Sequence, residues 1–395
     1  MLSAEQKRAV DIFDKNSLLL APAGTGKTFT LAHKVAEAIK RGIKPEEILL
    51  LTFTVKARDE IKEDVFTYAG ERAVNAYTVH GFCFEIIKEY SYKKRVAGGL
   101  TVADETDTGE LIKSLADAMI AEKTELADKL TILPEKQLSR IVSLIKYERD
   151  KLGFSYSSKD GYGAAIASLI NSGEYIDAFS FRKSGAQITD YNFYNLLKTR
   201  GNEFCLRYAD LLSSSSLLDF DDILLHAKEI VFGGDYPTDG YKLVVLDEVQ
   251  DTSLLEYSIV EKFFSSATVM LCGDENQTIY GWRGSDPKKI ISAYKEKYSP
   301  EEIRLTINRR ATETLKRAAE GYLATVNGEE LPSYNDEPDG EKIAVYGCES
   351  DVGEAKKIFS LIENFDGENT DVCVMTRSNR YLATLYKNLQ RINNS

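Results

Sequence analysis

Short apolar runs alternate with longer, partly polar segments towards both ends of the chain. Each run is rich in Leu, Val or Ile, and the segment after it has the apolar spacing of an amphipathic helix. Short buried strands that alternate with helices are typical of βαβ units around a parallel sheet. The pattern therefore predicts an α/β fold. The predicted strands cover residues 17–21, 48–53, 76–79, 243–247, 268–273, 303–307, 342–348 and 372–376.

The pattern changes between about residues 90 and 210, where the strand-like runs disappear. The apolar spacing there predicts helices over residues 111–121, 136–151, 164–171 and 191–212. Four consecutive serines, residues 213–216, mark a loop before the helical pattern resumes. We interpret this segment as a helical insertion that splits an α/β domain. A polar, acidic segment with Pro and Gly, residues 327–342, is predicted to be an exposed loop.

Composition narrows the class of protein. The chain has 395 residues, of which 43% are hydrophobic and 28% charged, a balance typical of soluble globular proteins. Its length predicts roughly two or three domains. No apolar stretch approaches the ~20 residues that a membrane span needs, and the first residues do not follow the pattern of a signal peptide. A cytoplasmic location is expected.

Net charge and the numbers of Cys and His indicate less about the binding partners of the protein than its composition does about its class. The 62 acidic residues outnumber the 50 Lys and Arg, and the net charge of −12 argues against a nucleic-acid partner. The argument is weak because the local field of a groove, not the net charge, attracts a phosphate backbone. Five widely spaced cysteines predict reduced thiols, and three scattered histidines do not suggest a zinc site.

A candidate phosphate-binding loop follows the first predicted strand. Residues 21–28 read APAGTGKT, with Ala21 at the position where such loops usually have their first glycine. Small residues let the backbone N–H groups surround a phosphate, and the helix expected near Lys27 adds its positive end. Lys27 would reach the β- and γ-phosphates and Thr28 would bind Mg²⁺. A glycine-rich turn that binds nothing is the alternative. The expected nucleotide contacts are Ala21, Ala23, Gly24, Thr25, Gly26, Lys27 and Thr28.

An acidic pair ends another predicted strand. In KLVVLDEVQD, residues 242–251, the apolar run stops at Asp247 and Glu248. Asp247 would hold Mg²⁺, and Glu248 would orient and deprotonate the attacking water, because phosphoryl transfer depends on positioning and charge stabilisation. The alternative is an acidic pair that caps a helix. With the phosphate loop present, ATP hydrolysis is the favoured interpretation.

Two further segments carry a resemblance to a known family. Residues 247–251 (DEVQD) and 271–286 (LCGDENQTIYGWRGSD) resemble the DExQD and GDxxQSIYxFRGA motifs of the UvrD/Rep/PcrA group of superfamily 1 DNA helicases. Further matches follow in the family's order. They cover residues 2–10, 51–61, 76–87, 217–225, 305–315 and 372–389.

The resemblance implies roles for several residues around the nucleotide. Gln6 would read the adenine edge, and Gln277 would sense the γ-phosphate and couple it to DNA. In LTINRRATETL, residues 305–315, Arg310 takes the place of the arginine that reaches across to the γ-phosphate. Arg309 replaces the tyrosine that stacks on the base, and an arginine plane can also stack on adenine.

Aromatic and basic residues near predicted strand ends suggest a surface for single-stranded DNA. Bases stack on exposed rings for roughly 1–3 kcal/mol each, without sequence preference. Thr78 enters the set through the family's TxHxF segment. An aromatic residue alone more often belongs to the core, but Trp282 lies next to Arg283 and Gly284 in a predicted loop, so for Trp282 and Tyr280 the DNA contact is favoured. The candidate contacts are Phe53, Lys56, Thr78, His80, Tyr280, Trp282 and Arg283.

The resemblance implies a RecA-like P-loop NTPase sheet over residues 1–90 and 210–285, a helical insertion over 91–209, and a partial second RecA-like domain over 286–395. Its expected function is an ATP- and Mg²⁺-dependent motor of 3′ to 5′ polarity on single-stranded or tailed duplex DNA. The alternatives are a nucleotide-gated binding or recruitment module and the motor half of a helicase-nuclease.

We find no later family motifs after residue 379. Either the sequence holds only the front of a helicase, which we favour, or the protein is naturally short. We therefore expect ATP binding with weak hydrolysis and no processive unwinding by this chain alone. A C-terminal half or a partner chain would supply the missing motifs.

Overall fold

A computed structural model describes residues 2–70, 74–94, 99–122, 130–172, 175–183, 186–278, 285–327, 334–335, 339–367 and 372–393. The chain divides into two compact units. Unit 1 comprises Met1–Arg310 and Pro332–Asp336, and unit 2 comprises Ala311–Leu331 and Glu337–Ser395.

The helices and strands of the described residues are numbered in chain order. The helices are α1 (Ala4–Asp11), α2 (Lys27–Lys40), α3 (Val55–Ala69), α4 (Val79–Lys93), α5 (Glu105–Ala121), α6 (Glu135–Lys151), α7 (Tyr162–Asn171), α8 (Tyr191–Ser214), α9 (Phe220–Phe232), α10 (Leu254–Glu261), α11 (Pro287–Tyr298), α12 (Glu313–Asn327), α13 (Asp351–Glu363) and α14 (Asn379–Asn393). The strands are β1 (Ser17–Leu20), β2 (Ile48–Thr52), β3 (Asn75–Thr78), β4 (Thr101–Val102), β5 (Ser180–Lys183), β6 (Ala186–Thr189), β7 (Leu217–Leu218), β8 (Leu243–Leu246), β9 (Thr268–Gly273), β10 (Glu301–Arg304), β11 (Ile307–Asn308) and β12 (Tyr334–Asn335).

A six-stranded parallel sheet forms the centre of unit 1, in the order β10-β1-β9-β8-β2-β3. Every residue of β1, β2 and β8 is buried, as expected for strands covered by helices on both faces. Alternate side chains enter two cores: Leu18 packs with α4, α9, α10 and α11, whereas Leu19 packs with α1, α2 and α3. The predicted α/β fold is confirmed.

The edge strand β10 comes from a part of the chain beyond the expected first domain. The predicted strand over residues 303–307 is observed as two strands: β10 ends at Arg304 and pairs with β1 at the sheet edge, and β11 begins at Ile307. Helix α11 buries Ile290 and Tyr294 in the core of unit 1, because its apolar face packs against the same sheet. The compact unit therefore continues past residue 285, where we expected the first domain to end.

The helical insertion has its own core, built by α5, α6, α7 and α8. The four predicted helices are confirmed, but the expectation that strands are absent from this segment is wrong. The antiparallel hairpin β5–β6 interrupts the helices. A Ser-Gly pair in the sequence between the two strands is a hairpin signal that the helical interpretation overlooked.

A buried ionic cluster joins the insertion to the start of α9. Lys146 of α6 lies with its Nζ 2.6 Å from Asp219 Oδ2 and 2.6 Å from Asp222 Oδ1. The Tyr208 hydroxyl donates to Asp219 Oδ2 at 2.9 Å. All four residues are buried, so these bonds replace the water that the charged groups have lost.

In unit 2, α13 packs against α14, and Ala355 and Leu385 are buried. The predicted strands at 342–348 and 372–376 are wrong: the described residues there form no strand. Val345 is 91% exposed and Met375 is 84% exposed, and no strand of the described residues pairs with either segment. Nowhere in the described ranges is a helix both long and apolar enough to cross a bilayer.

Candidate nucleotide site

The phosphate loop runs from the end of β1 to the first residue of α2, in the predicted order of strand, loop and helix. Gly24 and Gly26 both have φ of 80°, in the left-handed region that glycine adopts without a steric penalty. The Thr25 hydroxyl donates to the Pro22 carbonyl at 2.7 Å and closes the loop. The Ala21 N–H donates to the Gly273 carbonyl at 3.0 Å, which attaches the loop to β9.

Lys27 faces the acidic pair across the carboxyl end of the sheet. Its Nζ lies 3.3 Å from Asp247 Oδ1 and also contacts Glu248 Oε2. Burial alone would lower the pKa of Lys27, but the two carboxylates outweigh it and the pKa is raised. Burial raises the pKa of Asp247 to about 6, with Lys27 opposing the rise and Glu248 adding to it. The sheet thus brings together the lysine and the two carboxylates that the sequence selected.

The Mg²⁺ ligands implied by the sequence are Thr28 and Asp247. Asp247 is 2% exposed, and its Oδ1 is the atom that lies 3.3 Å from Lys27 Nζ. A hydroxyl and a carboxylate oxygen are ligands that Mg²⁺ accepts, and the metal usually keeps several waters besides. The residues present therefore fit the metal.

Glu248 is one of the non-glycine residues with positive φ, at φ 54° and ψ 43°. Such a backbone costs energy and is concentrated at functional sites. Gln250, which is 3% exposed, donates from Nε2 to Glu248 Oε2 and accepts from the Asp274 N–H at 3.1 Å. Gln250 was not among the predicted site residues, although the DEVQD match contains it.

Gln277 lies just beyond β9, on the same edge of the sheet as the acidic pair. Its Nε2 donates to Asp274 Oδ2 at 2.6 Å, and its side chain is exposed. Because Asp274 also donates its N–H to Gln250, a series of hydrogen bonds connects Glu248 to Gln277. Glu248, the expected base, and Gln277, the expected sensor of the γ-phosphate, are therefore linked through Gln250 and Asp274.

Gln6 connects α1 to the phosphate loop. Its Oε1 accepts from the Ser3 N–H at 2.9 Å, and its Nε2 donates to the Thr25 carbonyl at 3.1 Å. Gln6 is 2% exposed. The amide keeps one N–H and one lone pair for a ligand, so these contacts are compatible with the expected role at the adenine edge.

Arg309 and Arg310 follow β11 and lie beside the phosphate loop within unit 1. The Arg309 N–H donates to the Gly24 carbonyl at 2.8 Å, and both arginine side chains are exposed. The resemblance implied that Arg310 reaches the γ-phosphate from the far side of a cleft, whereas its backbone belongs to the same compact unit as the loop. The neighbouring Asn308, which also contacts the loop, was not predicted as a site residue.

The candidate DNA contacts are only partly described. Lys56 is exposed in the first turn of α3, and Phe53 is half-buried just after β2. The Thr78 hydroxyl accepts from the Gly81 N–H at 3.0 Å and so caps α4. His80 Nδ1 lies 3.3 Å from Glu256 Oε1. The other three candidates, Tyr280, Trp282 and Arg283, lie outside the described residues.

Gly24→Ala is expected to weaken ATP binding about tenfold. A Cβ on Gly24 would lie 2.7 Å from Asn308 Oδ1 and 3.0 Å from Arg310 Cβ, so the loop would have to move. Gly42→Ala is the matched control, because Gly42 has φ of 90° but nothing within 4 Å of the added Cβ. Both variants carry backbone strain of about 1–2 kcal/mol. Equilibrium titration with a fluorescent ATP analogue measures Kd; equal values for the two variants would contradict the prediction.

Two family models match the chain. The model described as the UvrD/REP helicase N-terminal domain matches residues 2–299, and the UvrD-like helicase C-terminal domain matches residues 303–394. The first match ends near the boundary between α11 and β10, and the second contains β11 and the helices of unit 2.

Curated relatives align with almost the whole chain. The ATP-dependent DNA helicase PcrA of Staphylococcus aureus is 26% identical over 99% of this chain and 50% of its own length. DNA helicase II of Rickettsia typhi is 28% identical over 92% of this chain and 50% of its own length. PcrA of Staphylococcus epidermidis is 24% identical, with coverage of 99% and 50%. The chain thus spans about half the length of the curated relatives it matches.

Proposed function

The chain belongs to the UvrD/REP helicase family, and from this premise we propose that it carries the ATP-hydrolysing motor of a DNA helicase or translocase. The observation that carries the proposal is the convergence of Lys27, Asp247 and Glu248 at the carboxyl end of the parallel sheet. A phosphate loop opposite an acidic strand end is the arrangement that ATP hydrolysis requires. The relatives are named as DNA helicases, which supports the same function.

In this proposal the phosphate loop holds the triphosphate of ATP. The N–H groups at the start of α2 face the phosphates, and Lys27 exchanges its contact with the acidic pair for one with the β- and γ-phosphates. Mg²⁺, held by Thr28 and Asp247, supplies positive charge that offsets the charge on the phosphates. Arg309 and Gln6 bind the base and Arg310 lies near the γ-phosphate.

Glu248 orients and deprotonates the attacking water. Its carboxylate already accepts a hydrogen bond from Gln250, which keeps the side chain in one place, and its left-handed backbone directs it out of the end of β8. When the phosphates take over Lys27, the carboxylate loses its cationic partner and is free to contact the attacking water. Gln277 senses the γ-phosphate from the other end of the hydrogen-bond series.

We also propose that single-stranded DNA, or the single-stranded tail of a duplex, crosses the sheet edge near Phe53, Lys56, Thr78 and His80. The residues Tyr280, Trp282 and Arg283 complete this set in sequence. Translocation would have 3′ to 5′ polarity. Within the proposal, residues 1–90 and 210–285 belong to the ATP-binding domain together with α11 and β10, which complete its core and its sheet. Residues 91–209 form the helical insertion, and the rest of 286–395 contributes to a second motor domain.

Hydrolysis stimulated by DNA is the test. The chain is expected to hydrolyse ATP faster in the presence of a single-stranded oligonucleotide than with a blunt duplex of the same length, since only the single strand exposes base faces for stacking. Lys27→Ala is expected to abolish both hydrolysis and stimulation, because the phosphates lose their cation. Phosphate release in a coupled assay measures both rates.

The same experiment distinguishes the second candidate, a nucleotide-gated binding module. Such a module binds ATP and DNA but gains no hydrolysis from the single strand. If the chain binds ATP but DNA does not stimulate phosphate release, the binding module is the supported function and the motor is excluded. If the chain does not bind ATP, both candidate functions are excluded.

A further inference from the structure

The segment that follows β10 seals one side of the phosphate loop. Asn308, in β11, donates from Nδ2 to the carbonyl of Ala23 at 2.9 Å. The next residue, Arg309, donates its backbone N–H to the carbonyl of Gly24 at 2.8 Å. Two consecutive carbonyls of the loop are therefore paired by two consecutive residues that lie far away in sequence.

Pairing these carbonyls has an electrostatic consequence for an anion in the loop. A carbonyl oxygen carries negative partial charge, and a loop that binds phosphate must present N–H groups to it. The hydrogen bonds from Asn308 and Arg309 hold the Ala23 and Gly24 carbonyl oxygens towards β11. Both oxygens are thereby kept directed away from a bound phosphate. If the carbonyls lost these partners, the loop would be free to rotate its peptide groups.

The side chain of Asn308 leaves no room for a side chain at Gly24. A Cβ on Gly24 would lie 2.7 Å from Asn308 Oδ1 and 3.0 Å from Asn308 Nδ2. The amide of Asn308 thus packs directly on the Cα of Gly24, whose φ of 80° is favourable only for glycine.

The oxygen of the Asn308 amide forms a hydrogen bond with Arg310, the arginine that we propose to lie near the γ-phosphate. Asn308 Oδ1 accepts from the Arg310 N–H at 2.9 Å. One side chain therefore holds both the Ala23 carbonyl and the backbone of Arg310. An arginine that stabilises developing charge must be placed to within a fraction of an ångström, which a flexible exposed side chain needs its backbone to provide.

We propose that Asn308 is a positioning residue of the nucleotide site, which orients the phosphate loop through its Nδ2 group and fixes the backbone of Arg310 through its Oδ1 atom. The inference rests on the proposed function, because it assigns Asn308 to the binding and hydrolysis of ATP. The two halves of the amide have separable effects: the donor acts on ATP binding, and the acceptor acts on turnover through Arg310.

The experiment compares Asn308→Ala, Asn308→Asp, Arg310→Ala and the double variant N308A/R310A. Steady-state hydrolysis gives kcat and KM, and a fluorescent ATP analogue gives Kd. Asn308→Ala is expected to lower kcat about tenfold and to weaken nucleotide binding several-fold. Asn308→Asp keeps the acceptor for Arg310 but loses the donor and adds a negative charge beside the phosphate loop, so it is expected to weaken nucleotide binding more than it lowers kcat.

The double variant provides the readout that a purely structural role would not produce. If Asn308 affects turnover through Arg310, then N308A/R310A has the kcat of Arg310→Ala alone, and only its Kd worsens. Multiplicative losses in kcat would overturn the proposal. Asn75→Ala is the matched control, since Asn75 also donates from Nδ2 to a backbone carbonyl, that of Glu46 at 2.9 Å, in the same unit.

The controls separate the inference from the function on which it rests. Asn308→Ala with the kcat, KM and Kd of Asn75→Ala would overturn the inference while wild-type ATP turnover stands. A wild-type chain that does not bind the analogue would overturn the proposed function and the inference with it. Thermal unfolding of each variant checks that losses in kcat are not losses of folded protein.

Discussion

Glu248→Gln is expected to reduce the kcat of ATP hydrolysis by about 10²- to 10⁴-fold, the usual contribution of a general base. Glutamine has the same shape as glutamate and can still accept from Gln250, so the local structure is expected to persist. The glutamine amide cannot accept the proton of the attacking water. The measurement is steady-state phosphate release at saturating ATP and single-stranded DNA.

Nucleotide binding is expected to survive this change, and even to tighten. In the wild-type chain Glu248 competes with the phosphates for Lys27, which contacts its Oε2. Without the negative charge, the side chain at position 248 no longer competes with the phosphates for Lys27. The Kd of an ATP analogue should therefore not rise. Loss of turnover together with retained binding separates a catalytic defect from a damaged site.

The matched control is Glu302→Gln. Glu302 lies in β10 of the same unit and pairs with Lys295 at 2.8 Å, on the surface and away from the phosphate loop. Loss of the Glu302–Lys295 ion pair is expected to change kcat by less than twofold, because exposed ion pairs contribute at most about 1 kcal/mol to stability. If Glu248→Gln kept more than a tenth of wild-type turnover, another group would have to be the base.

The inner strands of the main sheet were predictable because they are buried on both faces. β1, β2 and β8 are unbroken apolar runs, and each run has the length of one strand. The same reasoning failed at residues 342–348 and 372–376, where the composition is equally suited to a strand. A strand needs a neighbour to satisfy its backbone, and the described residues provide none there. Apolar content alone does not supply that partner.

The site was predictable where a residue's role follows from its place at a strand end. Lys27, Asp247 and Glu248 end up together because the carboxyl ends of parallel strands share one edge. Gln250 and Asn308 escaped prediction because their roles depend on the approach of distant segments. Gln250 receives its bond from Asp274, and Asn308 reaches Ala23. Neither contact leaves a periodic signal in the sequence.

Lys146→Met is expected to lower the free energy of unfolding by about 3–5 kcal/mol, the cost of breaking a buried ion pair by removal of one partner. Lys146 Nζ lies 2.6 Å from both Asp219 and Asp222, and these side chains are 4% and 9% exposed. Without the ammonium group two buried carboxylates face each other with no cation. The Asp219 carboxylate also caps α9 by accepting from the Asp222 N–H at 2.9 Å. Urea unfolding followed by circular dichroism gives the change.

The triple variant K146M/D219N/D222N is expected to recover at least half of this loss. It removes all three charges, and Asn at position 219 can still cap the helix.

The surface control is Lys159→Met. Lys159 pairs with Asp210 at 2.7 Å, and these side chains are 71% and 60% exposed, so loss of the pair should cost less than about 1 kcal/mol. The cluster is a buried ionic link between the helical insertion and α9. A triple variant no more stable than Lys146→Met would show that packing, and not unpaired charge, accounts for the cost.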